Sequence, residues 1–382
     1  MKTIAEINEK IKSGKAVVVT ADEIIGIVEE KGVKRTLAEV DVVTTGTFGP
    51  MCSSGMFINF GHSSPGIRMS KAWLNEVPIF AGIAAVDAYV GATELSERLG
   101  MQYGGAHVIQ DFIDGKDITL YAESYGTDCY PRRDIKTTIS KNNVNQAYLF
   151  NPRNCYQNYP AATNSTDKIM YTYMGTLLPS FGNVTYSTSG QLSPLLNDPE
   201  YRTIGIGTRV FIGGAQGYVA WEGTQHDAGQ ERLENGVPVN LAGTLALIGD
   251  AKKMSSQYIR AAVYEKYGVS MFVGVGIPIP ILDEDILMKT TVRDRDIITT
   301  LVDKSGKEDM NQRVSYEALR SGSIEIRGKK VSTAPLSSLK VAREIAQELK
   351  RQITCGEFML SEAVERLPMR PERLNKLDIR GE

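Results

Sequence analysis

Residues 46–66 constrain this chain more than any other stretch. Their density of Gly, Ser and Pro, from Gly46 through Ser63-Ser64-Pro65-Gly66, excludes a continuous helix. What precedes them is regular. Ile4, Ile7 and Ile11 recur at helical spacing. Residues 16–20 (AVVVT) form a short buried-strand run, 22–30 read as helix and 40–45 (VDVVTT) as a second strand. A strand–helix–strand beginning is the start of an α/β pattern. It breaks off into a loop of about twenty residues, a length that is uncommon inside a compact domain and tends to carry function. This loop holds Cys52 and His62.

Beyond it, residues 88–99 read as a helix ending at Gly100. Residues 107–113 and 118–125 read as strands around the turn Asp114-Gly115-Lys116-Asp117. Residues 142–197 are rich in Asn, Tyr and Pro and suggest short strands with little helix. Residues 208–212 and 216–221 are strands around Gly213-Gly214, and 271–275 is another. Residues 256–267 read as a helix from a Ser cap to Gly268. Ile277-Pro278-Ile279-Pro280 cannot sit in a central ladder. Residues 323–327 and 330–332 suggest a hairpin. Leu336, Leu339, Ala342, Ile345, Ala346, Leu349 and Ile353 then mark a helix. The expectation is an α+β fold with a mixed β-sheet core and flanking helices. A catalytic core spans 1–320, and a C-terminal hairpin and helical satellite (321–382) packs back on it. Gly- and Tyr-rich segments at 103–104 and 156–159 are candidate walls of a site.

Composition narrows the class of partner. With 43 Lys+Arg against 45 Asp+Glu in 382 residues, the net charge of −2 leaves no electrostatic footprint for nucleic acid or an anionic membrane. An apolar fraction of 42% is ordinary for a globular protein and excludes disorder. The longest apolar stretch, 77–92, is interrupted by Pro78 and Asp87 and is too short to span a bilayer. No leader-like apolar segment follows Met1. Four Cys are too few to staple a chain of this size, so the expected compartment is a reducing cytoplasm.

The four cysteines differ in setting. Cys52 lies in Gly46-Thr47-Phe48-Gly49-Pro50-Met51-Cys52-Ser53-Ser54-Gly55. Flexible backbone there can aim amide N–H groups at a thiolate, or Cys52 can simply be a small buried hydrophobe. Cys129 follows a strand and precedes Pro131-Arg132-Arg133. Two guanidinium groups can stabilise a thiolate or hold a carboxylate, or can be a solvated face. Cys155 sits in a polar loop without a basic cluster. Cys355 ends a helix, where partial negative charge disfavours thiolate, and reads as structural. The successive spacings of 77, 26 and 200 residues match no zinc or iron–sulfur template. His62, His107 and His226 are too few for a His-rich metal site, and no metal is expected. Gly205, Gly207, Gly213, Gly214 and Gly217 contain no GxGxxG, and no GxxxxGK[ST] occurs. These glycines read as strand bulges and a pocket wall.

Taken together, GTFGPMCSSG, FGHSSP, ESYGTDCYPR and GIGTRVFIGGAQGYVAWEGTQH resemble the homocysteine biosynthesis family of archaea and anaerobic bacteria. The likeness runs from about residue 10 to about 368. It implies a sulfurtransferase that makes L-homocysteine from L-aspartate 4-semialdehyde and sulfide through a cysteine persulfide. Cys52 matches the thiol of the CSSG motif. Cys129 matches that of GTDCYPR and would carry the persulfide. The CBS pair appended in some relatives has no counterpart in this sequence. The resemblance further implies an external reductant, reduced ferredoxin or a partner with NIL and ferredoxin-type domains, with no cofactor bound by this chain. Electron accounting agrees. Aldehyde plus hydrogen sulfide minus water reaches the thioaldehyde, and the thiol needs two more electrons and two protons. In this scheme sulfide opens a Cys52–Cys129 disulfide. Arg132 or Arg133, then Arg153 and Arg209, are candidates for the substrate carboxylate, and His226 or His62 for moving protons. Those roles are read from charge and pKa, not carried from the family. Two alternatives stand beside this scheme. One is a persulfide relay serving a partner. The other is a Cys-dependent acyltransferase or hydrolase using Cys129 and His226. A homo-oligomer is compatible with the sequence.

Overall fold

The computed structural model describes residues 2–369, 374, 375 and 377–379, so the end of the 321–382 segment lies outside the described residues. Among these residues twenty-eight strands outnumber eight α-helices, and parallel and antiparallel pairs mix. The fold is α+β, as the sequence suggests.

The main sheet is antiparallel. From one side it runs Gly268–Gly276, Arg209–Ile212, Ala215–Glu222, Leu245–Asp250, Gln146–Asn154, Gly55–Asn59 and Asp87–Gly91. Ile259–Tyr264 pairs with part of the first of these strands. Thr47–Pro50 also pairs with it, in the register Phe272↔Pro50 to Val275↔Thr47. This register dictates the sheet's shape. Thr47–Pro50 and Gly55–Asn59 lie six strand spacings apart along the ladder, about 29 Å in a flat sheet at about 4.8 Å per spacing. The chain from Pro50 to Gly55 reaches at most about 18 Å. The sheet therefore curls until its two sides face each other, and the short turn 51–54 bridges them. Cys52 sits in that turn.

A six-stranded mixed sheet packs beside it: Gln312–Ser315, Ile298–Asp303, Ala161–Thr163, Asn183–Tyr186, Lys329–Pro335 and Ser323–Ile326. The C-terminal hairpin thus joins a sheet begun at residue 161, through parallel pairing of Asn183–Tyr186 with Lys329–Pro335. Its core includes Val184, Ile297, Leu301, Tyr316 and Ile324. The helix Leu339–Thr354 follows the predicted period. Val341, Ala342, Ile345, Ala346, Leu349 and Ile353 are buried, packed with Phe48, Phe211 and Tyr258. Val18–Thr20, Val42–Thr44 and Pro278–Pro280 form a small separate sheet, with the prolines on an edge strand as their missing N–H requires.

Four expectations change. Residues 46–66 contain two strands, Thr47–Pro50 and Gly55–Asn59, because the glycines serve close packing more than looping. A Cβ on Gly46 would lie 2.1 Å from the Ala342 carbonyl oxygen, and one on Gly49 2.7 Å from Ser337 Oγ. Residues 88–99 are extended (Asp87–Gly91, Leu95–Ser96), since Ala88, Val90 and Ala92 alternate inward. Residues 107–113 belong to the helix Gly105–Ile113, whose Ala106, Val108, Ile109 and Phe112 enter the core. Residues 256–267 hold the strand Ile259–Tyr264, because pairing with Gly268–Gly276 overrides the local helical preference. No helix among the described residues is long and apolar enough to cross a membrane.

Candidate functional site

Cys52 is held by a compact turn. The Ser54 amide and hydroxyl both donate to the Met51 carbonyl, at 3.2 and 2.7 Å, and Asn151 Nδ2 donates to Ser54 Oγ at 2.6 Å. The Met51 amide donates to the Met271 carbonyl across the curl, at 2.7 Å. Cys52 itself is half-buried, and the neighbouring Ser53 hydroxyl is buried without a partner among the described residues.

The thiol opens into a chamber of about 40 Å³ whose walls carry Tyr156, Tyr159, Tyr173, Tyr264 and Tyr267. Tyr156 and Tyr159 follow the strand Gln146–Asn154 and pack edge to face with centroids 5.1 Å apart. Tyr264 and Tyr267 flank the turn after Ile259–Tyr264. Tyr173 sits at the two-residue tip of a hairpin formed by Met170–Thr172 and Gly175–Leu177. Burial pushes Tyr156 and Tyr264 up to about 12, and Tyr159 well above the ordinary phenol value. Tyr173 moves the other way. Its burial would raise it, but hydrogen bonds with Lys304 and Tyr159 lower it overall.

Lys304 reaches the chamber from outside the tyrosine ring. Its Nζ lies 2.5 Å from Tyr173 Oη and 4.7 Å from that ring's centroid, and Tyr159 Oη lies 3.4 Å from the same hydroxyl. The turn that carries Lys304 is built around the buried Asp303. Its carboxylate accepts from the amides and hydroxyls of Ser165 and Ser305 and from the Glu308 amide, at 2.6–3.2 Å. Desolvation would raise Asp303, yet these donors hold it far below the usual carboxylate range. A depressed folded pKa contributes stability above the unfolded value near 3.9, and this is lost as pH falls through the folded one. Asp303→Asn is therefore expected to cost about 2 kcal/mol at pH 7. The gap to the parent protein should begin to narrow only near pH 4 and go on closing as pH falls further, as thermal denaturation across that range would measure.

Cys129 lies elsewhere. It is exposed, in the loop between Ile118–Glu123 and Asp134–Ile139. Next to it, Tyr130 stacks on His62, with centroids 5.8 Å apart. Arg132 Nε and Nη2 donate to the carbonyls of Pro65 and Ser64 at 3.1 and 3.2 Å. Cys129, His62, Arg132 and the exposed Arg133 thus form one surface cluster. It lies beyond the Asn59 end of the strand Gly55–Asn59, while Cys52 precedes the Gly55 end. That strand alone spans about 13 Å, and a disulfide needs Cα atoms within about 7 Å. Both thiols are free, and neither Cys129 nor its neighbours line the chamber at Cys52.

The other candidates divide. Arg153 belongs near Cys52. Its guanidinium touches Gln225 and acts on Tyr156, and its Nε is buried without an acceptor among the described residues. Cys155 lies behind Tyr156, fully buried, and desolvation pushes its thiol far up. His226 is a structural clamp: the Thr244 amide donates to Nδ1 at 3.2 Å, and Nε2 meets the Pro368 carbonyl at 3.0 Å. Both ring nitrogens are taken by backbone. Arg209 ties Met359 to the main sheet through Nη1 at 3.0 Å, and Cys355 is exposed just past the C-terminal helix. Tyr103 borders a larger cleft of about 810 Å³, walled by Trp73, Arg98 and Tyr121, with no thiol in its lining. Size favours that cleft, but sulfur chemistry favours the small chamber. The sequence missed Lys304, Tyr173, Tyr264 and Tyr267. They sit in turns or at a strand end at three separate places in the chain and carry no local motif.

Residues 16–360 match the family described as homocysteine biosynthesis enzyme, sulfur-incorporation. The chain is 54% identical over 369 residues to an L-aspartate semialdehyde sulfurtransferase of Methanosarcina acetivorans, covering 96% of this chain and 72% of that protein. It is 51% identical over 385 residues to the protein of the same name from Methanocaldococcus jannaschii, covering 96% and 73%. An uncharacterized protein of Methanothermobacter thermautotrophicus is 28% identical over 331 residues, covering 84% and 72%. No solved structure matches the chain.

Proposed function

Because the chain belongs to the homocysteine biosynthesis family, we propose that it makes L-homocysteine from L-aspartate 4-semialdehyde and sulfide. The reading rests above all on Cys52, a thiol of the family motif that opens into a tyrosine-lined chamber.

Cys129 is the proposed sulfur carrier. Exposed in the loop that carries Arg132 and Arg133, it is accessible to sulfide, which opens a Cys52–Cys129 disulfide and leaves a persulfide on Cys129 and a thiol on Cys52. The outer persulfide sulfur adds to the aldehyde carbon, the Cys52 thiol attacks the Cys129 sulfur and restores the disulfide as the thiohemiacetal leaves, water is lost, and two electrons with two protons reduce the thioaldehyde to homocysteine. Reduced ferredoxin, or an iron–sulfur partner with NIL and ferredoxin-type domains, is the proposed electron source. Because neither Cys129 nor its neighbours line the Cys52 chamber, the proposed disulfide forms by travel of the 124–133 loop or with a second chain.

One other reading has an observation in its favour. An exposed Cys129 suits a relay that passes persulfide to a partner protein. The hydrolase alternative needs a free His226, and the backbone occupies both its nitrogens. The deciding assay combines purified protein, sulfide, aspartate semialdehyde and a strong reductant, and scores homocysteine. Product identifies the sulfurtransferase. Persulfide without product identifies the relay.

A further inference from the structure

Lys304 is in an unusual position. It stands one hydroxyl away from the Cys52 chamber, and the partners it has there are a phenol's oxygen and a phenol's ring. An ammonium group is better matched by a carboxylate than by either. Its backbone cannot drift. The Lys304 amide donates to the Thr163 carbonyl at 3.0 Å, and the adjoining Asp303 carboxylate gathers Ser165, Ser305 and Glu308 around the turn. This is a rigid mount for a cation at the rim of the site.

Tyr173, by contrast, is free to leave. Its side chain is 38% exposed at the tip of a hairpin that pairs with no larger sheet, and its own cluster has just three buried residues, Ala162, Met174 and Leu177. Met174 anchors the tip backbone, its carbonyl accepting from Thr185 Oγ1 at 2.7 Å. The Tyr173 side chain can therefore swing toward solvent without moving the strands. Size requires such a movement. The chamber holds about 40 Å³, well below the roughly 150 Å³ of a protein cavity known to take benzene. Sulfide fits as the chamber stands; an amino-acid aldehyde does not.

We propose that Lys304 Nζ and Tyr159 Oη form a carboxylate-binding subsite of the Cys52 chamber, and that the Tyr173 hydroxyl fills this subsite in the free protein. A small aldehyde carrying a carboxylate displaces Tyr173. Its carboxylate accepts from the ammonium and the Tyr159 hydroxyl, and its carbonyl carbon is directed inward toward Cys52. The sulfurtransferase reading supplies the identity of that aldehyde. The subsite itself, a cation placed to receive a carboxylate beside a thiol, is testable without it.

The experiment compares alkylation of Cys52 by iodoacetate and by iodoacetamide, which differ in whether they carry a carboxylate. Peptide mass spectrometry of the full chain scores the acid-to-amide rate ratio at Cys52, with exposed Cys355 in the same molecules as the reference. Cys52 is expected to show the higher ratio. Lys304→Met should lower it about tenfold, toward the Cys355 value, as loss of one nearby charge predicts, and Lys304→Arg should retain most of it. Protection of the buried Cys155 from both reagents, unchanged in both variants, serves as the check on folding. An unchanged Cys52 ratio in Lys304→Met would falsify the subsite. Absence of homocysteine formation by the parent protein would sink the sulfurtransferase reading and leave the alkylation result standing.

Discussion

A chain with Cys129→Ser is expected to form no labelled persulfide and to make homocysteine at background, a loss on the order of 10,000-fold, as for removal of an enzymatic nucleophile. Serine keeps the shape of the exposed loop and removes only the sulfur, so thermal stability should not change. Cys52→Ser should lose homocysteine formation to the same extent for a different reason. Its chamber persists, and Cys129 still accepts sulfur from a persulfide donor. The two single variants are thus separated by one measurement, ³⁵S on Cys129. Retention of both label and activity in Cys129→Ser would end the scheme. Because Cys129 does not line the Cys52 chamber, a mixture of the two inactive variants adds information. Recovered activity means that sulfur crosses between chains, and continued inactivity means that the 124–133 loop moves within one.

The second large effect concerns stability. Gly46→Ala is expected to destabilise the protein by about 3 kcal/mol or more, since its Cβ would lie 2.1 Å from the backbone oxygen of Ala342. No rotamer relieves a clash between a Cβ and a carbonyl, so the C-terminal helix must shift off Thr47–Pro50. That helix reaches across the curled sheet by small residues: Ala342 and Ala346 on its own face, Gly46, Gly274 and Gly276 beneath it. Gly26→Ala is the matched control. Gly26 is exposed within the helix Ala21–Lys31 with nothing near its Cβ position, so alanine should stabilise by about 0.5–1 kcal/mol. Denaturant unfolding of both variants would measure the contrast, and equal stabilities would refute the packing argument.

Much of this architecture was legible in the residues. Runs of β-branched apolar side chains located the strands at Val18–Thr20, Val42–Thr44 and Arg209–Ile212, and a clean 3.6 period located Leu339–Thr354. What misled was local preference where a distant partner decides. His107-Val108-Ile109 looks like strand until Ala106, Val108, Ile109 and Phe112 are seen to share one helical face. Ala261-Ala262 looks like helix until Met271 and Ser270 are found opposite. The same limit applies to the site. Cys52 and the wall at Tyr156 and Tyr159 announced themselves through composition. Lys304 could not, because its value lies in a 2.5 Å contact with a residue more than a hundred positions away. Arginines adjacent to a cysteine drew notice that an isolated lysine does not.

The curl of the main sheet has a consequence for how the site comes into being. Thr47–Pro50 finds its ladder partner only in Phe272–Val275, and the chamber's tyrosines come from residues 156 to 267. Contacts of such sequence separation form late and slowly, because a long loop must close before they reward it. During synthesis Cys52 emerges early and then waits, solvent-exposed, for more than two hundred residues. Its enclosure therefore marks the end of folding. Rapid thiol labelling at Cys52 distinguishes an unfinished chain from a finished one, and any oxidant met during that interval meets this thiol before its protective walls exist.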